Sequence, residues 1–156
     1  MIFAREEKLV KEKFNLIEII KEEITPYKKT FAKKIKFTEM FPRERVFVYA
    51  DKEKIKISFR NILVNSVEAI QRKGEIRIKV WIEGKWINIE ISDTGIGIKK
   101  ELLEKIFEPY FSTKEGGTGL GLSIAKKIID QHDGTILIRS KPYKGTTILI
   151  RVPILV

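Results

Sequence analysis

Residues 51–97 read DKEKIKISFRNILVNSVEAIQRKGEIRIKVWIEGKWINIEISDTGIG. Asp51 is placed to cap a helix running to about Gln71. Along it Ile55, Phe59, Ile62, Leu63, Val67 and Ile70 are spaced for one apolar face, and Gly74 lies just past its end. Glu75–Glu83 and Trp86–Ser92 then alternate apolar and polar residues on either side of Gly84-Lys85, the pattern of an antiparallel hairpin with one buried face. Ile76, Ile78, Val80 and Ile82 should point inward.

Working outward, Phe14–Lys34 predicts an amphipathic helix capped by Asn15, with Leu16, Ile19, Ile20 and Ile24 on one stripe and Pro26 placed to kink or split it. Lys34–Thr38 and Arg45–Ala50 predict two strands in a hairpin-like arrangement around Phe41-Pro42-Arg43-Glu44. Toward the C-terminus a mixed stretch, Lys99–Glu115, holds a short helix up to Phe107 and reads as a mobile loop before Gly116. Leu120–Gln131 is helical by pattern, and Thr135–Ser140 and Thr146–Pro153 alternate as strands. Single helices between strand pairs imply an α/β (α+β) two-layer sandwich, a mixed sheet of about five strands covered on one face by three helices. Residues 1–13 read as a charged linker and 14–156 as one domain.

Composition narrows the function. The 156 residues suffice for one domain. With 43% hydrophobic and 33% charged residues, the chain has material for a core and no disorder signature. Cysteine is absent and histidine occurs once, which removes disulfides, thiol nucleophiles and multi-His metal sites. No uncharged run approaches the roughly 18 residues of a membrane span, and residues 1–7 lack a signal-peptide core, so a cytoplasmic domain is expected. Thirty-one basic against 21 acidic residues give +10, which suits any phosphorylated ligand. The cations are interleaved with acids rather than blocked with aromatic partners, so nucleic acid is not expected.

Three groups of residues carry chemistry. Asp93-Thr94-Gly95-Ile96-Gly97 ends the second hairpin strand with a carboxylate able to accept a hydrogen bond from an amino group, although alone it equally describes a plain turn. Gly117-Thr118-Gly119-Leu120-Gly121-Leu122 stands directly before a helix, where free backbone N–H groups and the positive dipole end favour phosphate. It lacks the preceding strand of a dinucleotide fold and the Lys-Ser/Thr of a P-loop. On the long helix Asn61 and Asn65 share one face, with Arg60 and Glu68 nearby. Two such carboxamides alone are ordinary solvent-facing groups, but beside phosphates they can ligate Mg²⁺.

Together these segments resemble the ATP-binding catalytic domain of bacterial sensor histidine kinases, within the superfamily of gyrase-type, heat-shock-chaperone, histidine-kinase and MutL ATPases. Four motifs stand in the family order between about Phe14 and Pro153. They are an N box at Asn61–Ala69, a glycine box at Asp93–Gly97, a Phe box at Phe107–Lys114 and a second glycine box at Gly117–Gly121. The resemblance implies that Asp93 binds the adenine amino group and that Ala69, Gly95, Gly97 and Ile98 are ATP-binding residues as well. Asn65 and Asn61 would hold Mg²⁺, while Gly117, Gly119 and Gly121 meet the phosphates and Thr118, Leu120 and Leu122 belong to the ATP-binding set. Phe107 and Phe111 would anchor an ATP lid whose Ser112, Thr113 and Lys114 reach the terminal phosphate, with Glu115 facing solvent. Thr146 would match a closing Gly-Thr element near the adenine.

The same resemblance implies what is missing. A histidine kinase phosphorylates a His on a helix-hairpin dimerization domain, which this chain lacks, so it reads as a monomeric catalytic fragment whose partners are that domain and a response regulator receiver domain. The parent kinase could be membrane-associated. His132-Asp133 superficially fits a His-acidic phosphoacceptor pattern but follows the second glycine box by one helix, and His132 is read as structural. Alternative readings are a serine kinase or an ATPase of the same fold, or a noncatalytic nucleotide- or nucleic-acid-binding module. An ATPase of the gyrase or MutL type would carry Glu where this chain has Asn61.

Overall fold

A computed structural model describes residues 8–112 and 121–154. Among the described residues, seven strands and three α-helices follow in the order β1 (Glu12–Asn15), α1 (Leu16–Thr30), β2 (Ile35–Met40), β3 (Phe47–Ala50), α2 (Lys52–Ala69), β4 (Gly74–Glu83), β5 (Trp86–Asp93), α3 (Gly121–Gln131), β6 (Thr135–Lys141) and β7 (Gly145–Pro153). A five-stranded sheet runs β2-β4-β5-β7-β6, and β1 and β3 form a separate antiparallel ribbon. The sheet is mixed because β2 pairs parallel with β4 while every other pair is antiparallel. The two-layer sandwich is as expected.

The core lies between helices and sheet. Ile76, Ile78 and Val80 of β4, Ile87, Ile89 and Ile91 of β5, and Ile148, Ile150 and Val152 of β7 point to one side, as the two-residue strand period requires. Against them pack Leu16, Ile20 and Ile24 of α1, Ile62 and Leu63 of α2, and Ala125 and Ile129 of α3. Burying such side chains at about 1.5–3 kcal/mol each supplies the main driving force for folding. Ile82, expected inward, is 45% exposed because it lies at the hairpin end beside Gly84, beyond the helical cover.

Both predicted helix caps are present. The Asn15 side chain accepts from Ile17 N at 3.1 Å, and Asp51 accepts from Lys54 N at 3.2 Å. α1 stays continuous through Pro26 and stops at Thr30, short of Lys34. The predicted 34–38/45–50 hairpin does not form. β2 joins the main sheet through β4, and β3 pairs with β1 instead. Alternation identifies an extended segment but not its partner, and the parallel site beside β4 buries Ile35 and half-buries Phe37. The first strand takes in the end of the 1–13 segment read as a linker. Glu12 and Lys13 belong to β1, whose Phe14 is buried. Of the helix expected up to Phe107, only a 3-10 turn at Lys100–Leu102 forms.

α1 and α2 are joined by an ion pair that the sequence analysis did not anticipate. Arg60, adjacent to Asn61, turns from the carboxamide face toward α1, where its Nε and Nη2 each meet a Glu23 oxygen at 2.8 Å. Glu23 is buried, so the two-pronged contact satisfies a carboxylate that would otherwise be desolvated without a partner, and that hydrogen bond raises the Arg60 pKa. Among the described residues no helix is long and apolar enough to cross a membrane.

Candidate functional site

α2 has two working faces. Ile55, Phe59, Ile62, Leu63 and Val67 enter the core, while Asn61, Asn65, Glu68 and Ala69, successively four, three and one residues apart, form a second stripe that lines a cavity of about 310 Å³. Eight residues separate Asn61 from Ala69, about 12 Å along the helix at 1.5 Å per residue, so the cavity is elongated along α2.

Its Ala69 end is built from the strand ends. Asp93, the last residue of β5, is the cross-strand partner of Thr146 at the start of β7. Both are nearly buried, at 7% and 9% exposed. The Asp93 Oδ1 accepts from Gly95 N at 2.9 Å and from Thr146 N at 3.3 Å, which fixes the carboxylate plane. Gly97 has φ +70°, and a Cβ there would lie 1.9 Å from the Lys141 carbonyl oxygen, so only glycine lets this loop press against the β6–β7 turn. Ile98, Ile106, Ile138 and Ile148 supply apolar walls. A slot with apolar sides and a carboxylate at its base suits a flat heteroaromatic ring bearing an amino group.

The other end is polar. Asn61 and Asn65 face Gly121 and Leu122, the first turn of α3, and a Cβ on Gly121 would come within 4.0 Å of the Asn61 Cβ. The N-terminus of α3 thus meets two carboxamides across the cavity, a setting that favours phosphate oxygens with a hard cation between. Ser112 and Phe111 border the cavity as well.

Of the residues expected at the site, Asn61, Asn65, Ala69, Asp93, Gly97, Ile98, Phe111, Ser112, Gly121, Leu122 and Thr146 line this one cavity. Gly95 stands behind it, where an added Cβ would be 2.6 Å from that of Ala69, and Phe107 packs against the core. Thr113, Lys114, Glu115, Gly117, Thr118, Gly119 and Leu120 lie outside the described residues, as does most of the second glycine box. Sequence reasoning did not find the walls Ile106, Ile138 and Ile148, nor Val64, Ser66 and Ile96. Ile148 follows Thr146 on the inward side of β7 and pairs with Ile138, so period two and register together point to both.

A second cavity, about 300 Å³, lies between β3, α2, α3 and β7. Its lining is chiefly apolar, and its buried polar groups bond internally. The His132 Nε2 accepts from Asp51 N at 3.0 Å, Nδ1 lies 2.8 Å from Ile128 O, and the Ser58 hydroxyl donates to Ala125 O at 3.4 Å. His132 is only 6% exposed. The Nε2 acceptor ties the end of α3 to the cap of α2, and the Nδ1 contact with the α3 carbonyl sets the ring for it. His132→Ala should leave Asp51 N without its partner and cost about 1–3 kcal/mol of stability, read by denaturant titration, with nucleotide affinity unchanged. A matching loss of nucleotide affinity would place His132 in the site.

The fold, the strand-end carboxylate, the paired carboxamides and the helix N-terminus around one cleft together describe an ATP-binding α/β sandwich. Residues 50–156 match the model of the Histidine kinase-, DNA gyrase B-, and HSP90-like ATPase family, and the chain belongs to that family. It is 40% identical over 122 residues to the signal transduction histidine-protein kinase AtoS of Escherichia coli, covering 78% of this chain and 20% of that one. It is 36% identical over 151 residues to sporulation kinase B of Bacillus subtilis, covering 96% of this chain and 35% of that one. The chain therefore spans about a fifth to a third of these relatives' length. Among solved structures, the nucleotide-free catalytic domain of histidine kinase ThkA superposes with TM-score 0.85 at 35% identity, covering 93% of this chain and 96% of that domain. ThkA in complex with the response regulator protein TrrA gives 0.84 at 31% identity, covering 99% and 45%.

Proposed function

We propose that this chain is the ATP-binding catalytic domain of a two-component sensor histidine kinase. It binds Mg-ATP and presents the γ-phosphoryl group to a histidine on a dimerization domain outside this sequence, for relay to an aspartate of a response regulator. The carrying observation is that Asp93 and the Asn61/Asn65 pair stand toward opposite ends of one elongated cavity, in a chain of this family. The names of the relatives support the kinase reading, and the complex of ThkA with TrrA supports a response-regulator partner.

Asp93 accepts from the adenine amino group, and the isoleucine walls exclude water from the base. The carboxamide oxygens of Asn65 and Asn61 hold Mg²⁺, and the α3 N-terminus with the second glycine box takes the phosphates. Ser112, Thr113 and Lys114 serve the terminal phosphate. Bound Mg-ATP supplies the phosphoryl group together with the metal charge that neutralises it. The protein's part is positioning and electrostatic stabilisation, which account for most of the catalysis of phosphoryl transfer, and activation of the attacking imidazole falls to the acceptor domain. The domain is monomeric and cytoplasmic.

Radiolabelled ATP, this chain and a separate histidine-bearing dimerization domain should yield acid-labile phosphate on that domain. No label after prolonged incubation would count against the kinase reading. Glu68 lines the same cavity. Substantial acceptor-free ATP hydrolysis, lost in Glu68→Gln, would move the assignment to an ATPase with Glu68 activating water.

A further inference from the structure

Ser140, on the inward side of β6, does not line the nucleotide cavity, yet it joins both loops that shape the base end. Its Oγ accepts from Ile98 N at 2.8 Å, donates to Gly145 O at 2.9 Å and lies 2.8 Å from the Thr146 Oγ1. A hydroxyl has one proton and two lone pairs. With the proton committed to Gly145 O, the Thr146 hydroxyl is the donor, and the Ser140 hydroxyl is saturated. Ser140, Thr146 and Asp93 are successive cross-strand partners over β6, β7 and β5. The row ends on the carboxylate, where Thr146 N binds the Asp93 Oδ1.

We propose that Ser140 is a positioning residue for purine recognition, its hydroxyl setting the Ile98 wall and the Asp93 carboxylate in register with each other. Two close approaches make the register sensitive to it. Tyr143 N donates to Ile96 O on one side of the hub. On the other, a Cβ on Gly145 would lie 1.9 Å from the Asp93 carbonyl oxygen. The β6–β7 turn and the Asp93–Ile98 loop therefore move together, and the Ser140 side chain is bonded to both. Without its oxygen, Ile98 N loses its acceptor at the edge of the base slot, and the slot can widen.

This inference rests on the cavity binding ATP through Asp93, so the test begins with calorimetric titration of the wild-type chain with ATP and ADP in Mg²⁺. Ser140→Ala should weaken ATP and ADP by the same factor, about tenfold, because the fault lies at the base and not at the phosphates. Ser140→Thr, which keeps the oxygen, should stay within threefold of wild type. Ser140→Cys, close in shape but a poor acceptor, should show the loss if Ser140→Ala does not fold. As a control, Ile136→Val in the same strand should lower stability without moving affinity. Wild-type affinity in Ser140→Ala or Ser140→Cys, or a loss confined to ATP with ADP unaffected, overturns the assignment while the ATP site stands. Failure of the wild-type chain to bind either nucleotide overturns both.

Discussion

Asp93→Asn should weaken ATP and ADP binding by about 10- to 100-fold while leaving the fold nearly intact. The asymmetry follows from the bonds at the side chain. Oδ1 accepts from Gly95 N and Thr146 N, and an asparagine carbonyl oxygen can accept both, so the turn and the β5–β7 register persist. What changes is the second atom of the head group, from an acceptor to an NH₂ donor, and the negative charge disappears. A purine amino group then meets a donor in a nearly buried slot. Leaving such a pair unsatisfied costs about 1–3 kcal/mol, and more where the acceptor was charged. Calorimetric titration of the variant, with a thermal melt alongside, separates the two effects. Unchanged affinity would mean that the base does not sit on Asp93, and a melt lowered as much as the affinity would make Asp93 a structural residue instead.

Gly97→Ala should cost about 3 kcal/mol or more, lowering the melting temperature by roughly 10 °C, and should abolish nucleotide binding at ordinary concentrations. Backbone strain and steric overlap both contribute. The φ of +70° strains any residue with a Cβ, and that Cβ would lie 1.9 Å from the Lys141 carbonyl oxygen and 2.7 Å from its carbon. Backbone cannot yield as a long side chain can, so the loop and the β6–β7 turn must separate, opening the slot beside Ile98. Gly84→Ala isolates the strain. Its φ is +62°, but nothing lies within 4 Å of the added Cβ, so the substitution should cost about 1 kcal/mol and leave affinity untouched. Equal melting shifts in the two variants would show that the close approach at Gly97 relaxes without consequence.

Much of this protein is legible because its signals are local. The Asp51 and Asn15 caps, the hairpin about Gly84, and the inward isoleucines of β4 and β5 each depend on residues within a few positions of one another. Backbone sterics and the periods of helix and strand act over that range. Asn61 and Asn65 share a face for the same reason. The motif order likewise identified the family without any pairing information.

Other features depended on contacts between distant segments. Arg60 lies beside Asn61 in sequence but belongs to Glu23, because the buried carboxylate on α1 offers a stronger two-pronged partner than the cavity does. Ser140 carried no signal, since a serine in a strand is commonplace until Ile98, Gly145 and Thr146 converge on its oxygen. The partner of β2 was read as β3 and is β4, and residues 12–13 became a strand only because β3 was available to them. Sequence by itself determined most of the elements, the two helix caps, the carboxamide face and the order of the family's motifs, signals written largely in short-range geometry. Tertiary structure decided which strands pair, which charges meet and which distant backbone groups the Ser140 hydroxyl joins, because hydrogen bonding and burial select partners by proximity in space.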